Sequence, residues 1–301
     1  MGRAGPCSSC PALSGGDTVI TSSDLVLSTS ILLPGVAWQQ RPARAAALGY
    51  TALESWWPWS VDVASPSDVE RLTAALRSSG THLYMMNLTQ GDAEFGRRGI
   101  ASVPGAEIAF WANADSMLEV AAATGLRYVN ALAGNKTDAG GQIGIETLVA
   151  RLSEFADRAA ALGVGVLIEQ LNSSDHPDYL LTDPELAIDV VKRLRLTTKQ
   201  SNVGLLADVY HLGLARVDPV AFVRRNMRFI DHVQIADAPG RGAPGSGALP
   251  ILKTLESLSA QRYAGRIGLE FTPGHGYQLP GPDEFLRQLR AGTAKMQRED
   301  A

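Results

Sequence analysis

The chain alternates between short apolar runs and longer amphipathic ones, eight times over, and that rhythm leaves few folds open. The apolar runs are LVLSTSI (25–31), YTALESW (50–56), HLYMMNL (82–88), LRYVNAL (126–132), VGVLIEQ (164–170), VGLLADV (203–209), HVQIA (232–236) and RIGLEF (266–271). Helical stretches fall near 36–48, 66–79, 107–124, 142–162, 183–195, 218–227, 249–260 and 283–296. Ser65 and Asp183 each precede a proline suited to a first helical turn. Gly125 and Gly163 punctuate helix ends. Eight β-then-α units predict an α/β fold of one domain, a (β/α)8 barrel. A doubly wound open sheet would normally carry a glycine-rich phosphate loop after its first strand, and LVLSTSILLPG has none.

The barrel is expected over 23–301 of the 301 residues. Residues 1–22 are rich in Gly, Ser, Pro and Cys, show no period, and read as a mobile tail. Both cysteines, Cys7 and Cys10, lie in that tail as incidental thiols, because no helix follows and no second ligand pair exists. Without a disulfide framework or a secretory signal, a reducing cytoplasm fits. A net charge of −4 argues against a nucleic-acid surface. No apolar run reaches the ~20 residues that a membrane helix needs. The longest irregular stretch, 89–106, is long enough to suggest a functional loop.

In such a barrel, catalytic groups gather at the C-terminal ends of the strands. The fifth run ends in Ile168-Glu169, the sixth in Ala207-Asp208 and the eighth in Leu269-Glu270, and the seventh carries Gln234 near its end. Stepping back by twos gives Leu167 and Gly165, Leu206 and Gly204, and Gly268, the small and apolar residues of a barrel interior. Three buried carboxylates so close together would repel one another, and desolvation would raise their pKa values further. A divalent cation relieves both effects. Three carboxylates and one amide oxygen suit Mg2+ or Mn2+, whereas Zn2+ usually attracts His or Cys. The amide also explains why a strand interior accepts Gln234, since a buried amide without partners costs roughly 1–3 kcal/mol.

His211 follows Asp208 by three and is expected to donate to a substrate oxygen without ligating the ion. Arg241 follows Gln234 by seven on a Pro-Gly loop, where a guanidinium suits a carboxylate or an enolate oxygen; a surface ion pair is the plain alternative. Trp56, Trp57 and Trp59 either wall a pocket or pack a loop. Glu54 suits a supporting carboxylate behind the ligands. His82 falls at the stability face, and His232 falls deeper in the barrel than the ion. His176 and His275 lie in loops that the sequence does not place.

These motifs are similar to those of the hydroxypyruvate isomerase family within the xylose isomerase-like TIM barrels. The likeness runs from about residue 25 to 290 and is carried by GDAEFGRRGIASVPGAEIAF (91–110), IEQLN (168–172), LADVYHLGL (206–214), HVQIADAPGRGAPGSG (232–247) and IGLEF (267–271). It implies a metal-assisted isomerisation of hydroxypyruvate to tartronate semialdehyde, or of a related oxo acid. By motif, Glu169, Asp208, Gln234 and Glu270 correspond to the metal ligands, and Glu169 and Glu270 also to the proton-transfer pair. Gln234 stands where sugar epimerases of the superfamily have a His. Gln170 departs from the usual E-P-L-N, and Ala207 from a common aromatic. The implied partner is a small oxo or hydroxy acid; the sequence leaves oligomeric state open. Three rival functions remain: a sugar or inositol-derivative isomerase or epimerase, an abasic-site endonuclease, and a non-catalytic binder of sugar acids or metal. The five scattered His do not supply the several-zinc cluster that the endonuclease needs.

Overall fold

A computed structural model of the chain describes residues 20–91, 97–199 and 202–299, with side chains to 292. Strands β1 (Leu25–Ser28), β2 (Ala52–Ser55), β3 (His82–Asn87), β4 (Tyr128–Asn130), β5 (Gly165–Glu169), β6 (Val203–Asp208), β7 (Ile230–Ile235) and β8 (Ile267–Leu269) close into one barrel in sequence order. Every neighbouring pair is parallel, and β8 returns to β1. The helices are α1 (Thr29–Leu32), α2 (Arg41–Ala47), α3 (Pro66–Ser79), α4 (Glu107–Thr124), α5 (Gly141–Ala160), α6 (Pro184–Thr197), α7 (Val209–Leu214), α8 (Pro219–Asn226), α9 (Ile251–Ala260) and α10 (Pro282–Glu299).

The residues that form these elements follow the sequence rules closely. Ser65 accepts from the Asp68 backbone N–H, Asp68 returns the bond, and Pro66 opens α3. Asp183 caps α6 in the same position relative to its proline. Gly80 and Gly125 end α3 and α4 in the left-handed conformation.

Apolar side chains form two layers. The larger lies between sheet and helices, with Phe110, Phe155, Phe222 and Leu148 among its members. A small separate cluster of Val26, Ala52, Tyr84, Met85, Leu167 and Leu206, edged by Tyr128, fills the barrel interior. It forms the floor beneath the polar residues at the strand ends.

Several boundaries differ from the sequence expectation, and three of them bear on the site. The first strand stops at Ser28, and Thr29–Leu32 turns into α1. The sixth stops at Asp208, whose carboxylate accepts from the Tyr210 N–H at 2.8 Å and starts α7. Both were single apolar runs in sequence, and a strand running straight into a helix leaves no gap in hydrophobicity. The seventh strand begins at Ile230, so His232 lies within it. Residues 1–19, including Cys7 and Cys10, lie outside the described residues. Ile20 packs against the main core, and Arg290 donates to its carbonyl, so the expected tail meets the barrel before residue 22.

Candidate active site

Strand register brings the acids to one mouth. Asp208 pairs with Gln234, Gln234 with Gly268, and Glu169 with Leu206, so Glu169 and Asp208, which end their strands, Gln234, one residue before the end of β7, and Glu270, just past β8, gather near one level. All four are at least nineteen-twentieths buried. Carboxylate oxygens of Glu169 and Asp208 and a ring nitrogen of His211 lie within 4.8 Å of one another, the spacing of a shared ion. Glu270 joins them through Arg241, whose Nη2 donates to Asp208 Oδ2 at 2.8 Å and to Glu270 Oε2.

Burial first, then Glu270 and Asp208, drive the Glu169 carboxyl well above the usual carboxylate range. Burial pushes Glu270 up to about 7 against the pull of Arg241, with Glu54 and Asp208 adding to the rise. Burial likewise raises Asp208, against Arg241. Burial opposes the charge on Arg241, but Asp208, Glu270 and Glu169 outweigh it and hold the guanidinium charged.

Each acid is aimed by a donor from elsewhere in the barrel. Asn130 Nδ2 donates to Glu169 Oε2 at 2.8 Å, and Trp56 Nε1 to Glu270 Oε1 at 2.9 Å. Gln234 Nε2 donates to Glu54 Oε1 at 2.7 Å, and Glu54 Oε2 meets His232 Nε2 at 2.8 Å. Gln234 Oε1 is buried with no hydrogen-bond partner among the described residues. An orphaned acceptor in a cage of raised carboxylates is what a cation-binding amide looks like before its ion is counted. Glu54 needs room to do this: a Cβ at Gly268 would lie 2.6 Å from its carboxylate, so glycine is required there.

The His211 tautomer follows from its neighbours. Asn172 Oδ1 accepts from the Asp175 N–H at 2.8 Å, which turns Asn172 Nδ2 outward as a donor. That Nδ2 lies 2.7 Å from His211 Nδ1, and the Asn172 backbone N–H donates to the same atom at 3.1 Å. Two donors at Nδ1 put the ring proton on Nε2, against a single donor, Arg241 Nη1, at 3.0 Å from Nε2. Burial, Arg241 and His176 hold the pKa of the ring well below its usual value, so it is neutral. Nε2–H therefore faces the acids, 3.7 Å from Asp208 and 3.9 Å from Glu169. A nitrogen bearing a proton has no lone pair for a metal, so His211 suits hydrogen-bond donation and the oxygen groups suit the ion.

Arg241 sits on a loop shaped by Asp237, whose carboxylate accepts from the N–H groups of Ala238, Gly245 and Leu249 at 2.9–3.0 Å. Asp237 and Gly242 also exchange backbone bonds around the turn. Three of the five Arg241 N–H groups, on Nε and Nη2, are held by Glu270 (carbonyl and carboxylate) and Asp208, and Nη1 faces the protonated Nε2 of His211. Of the two roles the sequence left open for Arg241, the ion pair is present, with the acids, and the N–H groups of Nη1 stay uncommitted to them.

A cavity of about 290 Å³ opens over this cage, lined by Trp56, Asn87, Arg98, Glu169, His176, His211, Arg241 and Glu270 among others. It is the size of a small-acid site. A larger cavity, about 400 Å³, lies between α9 and α10, but its lining carries no cluster of acids. Size alone therefore does not locate the chemistry. Trp56 reaches the active cavity, whereas Trp57 and Trp59 pack edge to face beside Trp38. His176 lines the site; His275 does not; His82 sits exposed at the opposite end of β3. The sequence reading missed Asn130, Asn172, Asp175, Asp237, Asn87 and Arg98. Asn87 and Asn130 end their strands as the acids do, and that position was their signal.

The fold and the mouth define a parallel (β/α)8 barrel with an acid cage at the catalytic face. Residues 42–292 match the xylose isomerase-like TIM barrel family, and the chain belongs to it. It is 37% identical over 252 residues to a putative hydroxypyruvate isomerase of Streptomyces coelicolor, covering 82% of this chain and 90% of the relative. It is 32% identical over 241 residues to a 2-oxo-tetronate isomerase of Cupriavidus necator, covering 80% and 89%. A crystal structure titled AP endonuclease, family 2, from Brucella melitensis superposes with a TM-score of 0.78 at 25% identity, covering 89% of this chain and 98% of that one.

Proposed function

We propose that this chain is a divalent-cation-dependent isomerase that interconverts hydroxypyruvate and tartronate semialdehyde, or a close four-carbon 2-oxo acid. The observation that carries the reading is the pair Glu169 and Glu270. Both line the cavity, and both have carboxyl pKa values raised from the ordinary range, Glu270 to about 7. A carboxyl raised to where Glu270 stands exchanges protons near neutral pH, as moving a carbonyl by one carbon requires. The relatives named hydroxypyruvate isomerase and 2-oxo-tetronate isomerase support the substrate class.

Glu169, Asp208, Gln234 and Glu270 would hold the cation, with Mg2+ or Mn2+ favoured by an all-oxygen set. When bound, it supplies Lewis acidity at adjacent substrate oxygens. One Glu removes the proton from carbon and the other returns a proton to its neighbour. Asn130 and Trp56 keep these carboxylates aimed. His211 Nε2–H and Arg241 Nη1 steady the negative oxygen that develops.

The test is turnover of hydroxypyruvate by chelated protein, with and without added Mn2+ or Mg2+. Glu169→Gln and Glu270→Gln should each lower kcat by about 10²–10⁴ with cation restored. Near-wild-type rates in either variant remove it from the proton-transfer pair. A panel of four-carbon oxo acids and free ketoses separates the acid isomerase from a sugar epimerase. The likeness to the Brucella structure favours a second reading, abasic-site incision. A nicking assay on abasic DNA decides it, and a small acid-lined cavity predicts no cleavage.

A further inference from the structure

The cavity is lined by side chains of two electrically different kinds. Glu169 and Glu270 line it, with Asp208 held behind them by Arg241, and the lining also carries Arg98 and His176. Arg98 stands on the arm that follows β3, and that arm is clamped. Gly99 donates to the Gln90 carbonyl at 2.9 Å and bridges Ala133 beyond β4. A Cβ at Gly99 would lie 2.2 Å from the Leu132 carbonyl oxygen, so only glycine allows the approach. From α5, the buried Arg151 donates to the carbonyls of Ile100, Ala101 and Val103 at 2.9–3.2 Å and pairs with Glu107. A guanidinium spent on three backbone carbonyls fixes the path of the chain, and the residue carried ahead of it is Arg98.

We infer that Arg98, with His176 beside it, is the carboxylate-binding end of the site, and selects oxo acids over neutral ketoses. The inference rests on the proposed isomerase reading and names which groups recognise the acid. An anionic end is repelled by the cage and attracted by a guanidinium, so a small acid enters with its carboxylate toward Arg98 and its carbonyl and hydroxyl toward the acids. Arg241 cannot grip a carboxylate in its fork, because either fork uses an Nη2 N–H and both of these, with Nε–H, are committed to the cage. Burial and the positive charge of Arg98 hold His176 below its usual pKa, so it serves as a neutral partner, not a second cation.

The experiment compares wild type, Arg98→Gln and Arg98→Lys, with Mn2+ supplied throughout. Calorimetry measures binding of glycerate, a three-carbon hydroxy acid. Kinetics compares hydroxypyruvate with dihydroxyacetone, which carries a hydroxymethyl group where hydroxypyruvate carries the carboxylate. Arg98→Gln should weaken glycerate about 10–100-fold, as expected for a lost charge-assisted contact. It should also lower the preference for hydroxypyruvate over dihydroxyacetone by at least about tenfold, mostly through KM. Arg98→Lys should recover part of both, which separates recognition from misfolding. Equal glycerate affinity in wild type and Arg98→Gln overturns the inference, as does wild type that binds no glycerate. Wild type that binds glycerate through Arg98 but never converts hydroxypyruvate sinks the isomerase reading while upholding the anion site.

Discussion

Glu54 and Gln234 meet through one hydrogen bond that decides which way an amide faces: Nε2 donates to Glu54 Oε1 at 2.7 Å, and Oε1 of the glutamine is left without a partner among the described residues. Glu54 therefore acts on the cage without belonging to it. In Glu54→Gln the partner offers both a donor and an acceptor, and the Gln234 amide is no longer held one way round. Mn2+ affinity by calorimetry should fall about 10–100-fold, the usual cost of losing such a supporting group. An unchanged Kd would show that the orientation of Gln234 does not depend on Glu54.

Arg241 offsets the charge of Asp208, Glu270 and Glu169 from one place. Its side chain is only 19% exposed, so solvent does not screen the loss of its charge well. Arg241→Met should cost about 3–5 kcal/mol in chelated protein, because buried carboxylates lose their compensation. Added Mn2+ should stabilise the variant more than it stabilises wild type. Urea denaturation of both proteins, with chelator and with Mn2+, measures this; equal metal-induced gains would mean that the guanidinium carries no counter-charge role.

Much of this architecture was written in one-dimensional pattern. Strand-ending Glu169, Asp208 and Glu270 were legible because period-two alternation and the barrel rule place them without coordinates. Helices such as α3 and α4 were legible from their caps and closing glycines. Glu54 was legible as a supporting carboxylate, but which groups it supports was not. Glu54 reaches Gln234 and His232 across the barrel, and the Glu54–Met85 and Leu206–His232 pairings each follow a register shift. A bulge re-aims a side chain without leaving a compositional trace. Asn172 and Asp175 were hidden for another reason: they act through hydrogen-bond direction on His211, and spacing along the chain does not encode direction. Arg151 resembles any helix-surface cation in sequence; only the carbonyls it meets reveal its role.

The Asn172–His211 contact makes a spectroscopic prediction. With both Asn172 donors at Nδ1, the ¹⁵N spectrum of labelled His211 should show a neutral ring protonated at Nε2. Burial with Arg241 and His176 nearby keeps its pKa well below 6.5, so the ring should stay neutral from pH 7.5 down to pH 6. A titration centred near pH 6.5, or a proton on Nδ1, would return His211 Nε2 to the set of candidate metal ligands.

Glu270 gives the pH dependence of the chelated protein a definite sign. Its carboxyl titrates at about 7 when folded, chiefly through burial, and near 4.3 when unfolded. Between those values the folded state holds the extra proton. Its unfolding free energy therefore falls as pH rises through that window, and the penalty is complete above about pH 8. Glu270→Gln keeps the shape and removes the titration. The bond from Arg241 changes character in the variant as well, which adds an offset at neutral pH that does not depend on the Glu270 proton. The stability difference, variant minus wild type, should thus climb in favour of the variant from pH 5 through pH 7 and level by about pH 8. Urea denaturation in chelator across pH 5–8 reads it directly. A difference that stays flat, or that falls with pH, would mean that Glu270 is ionised throughout and cannot carry a proton near neutrality.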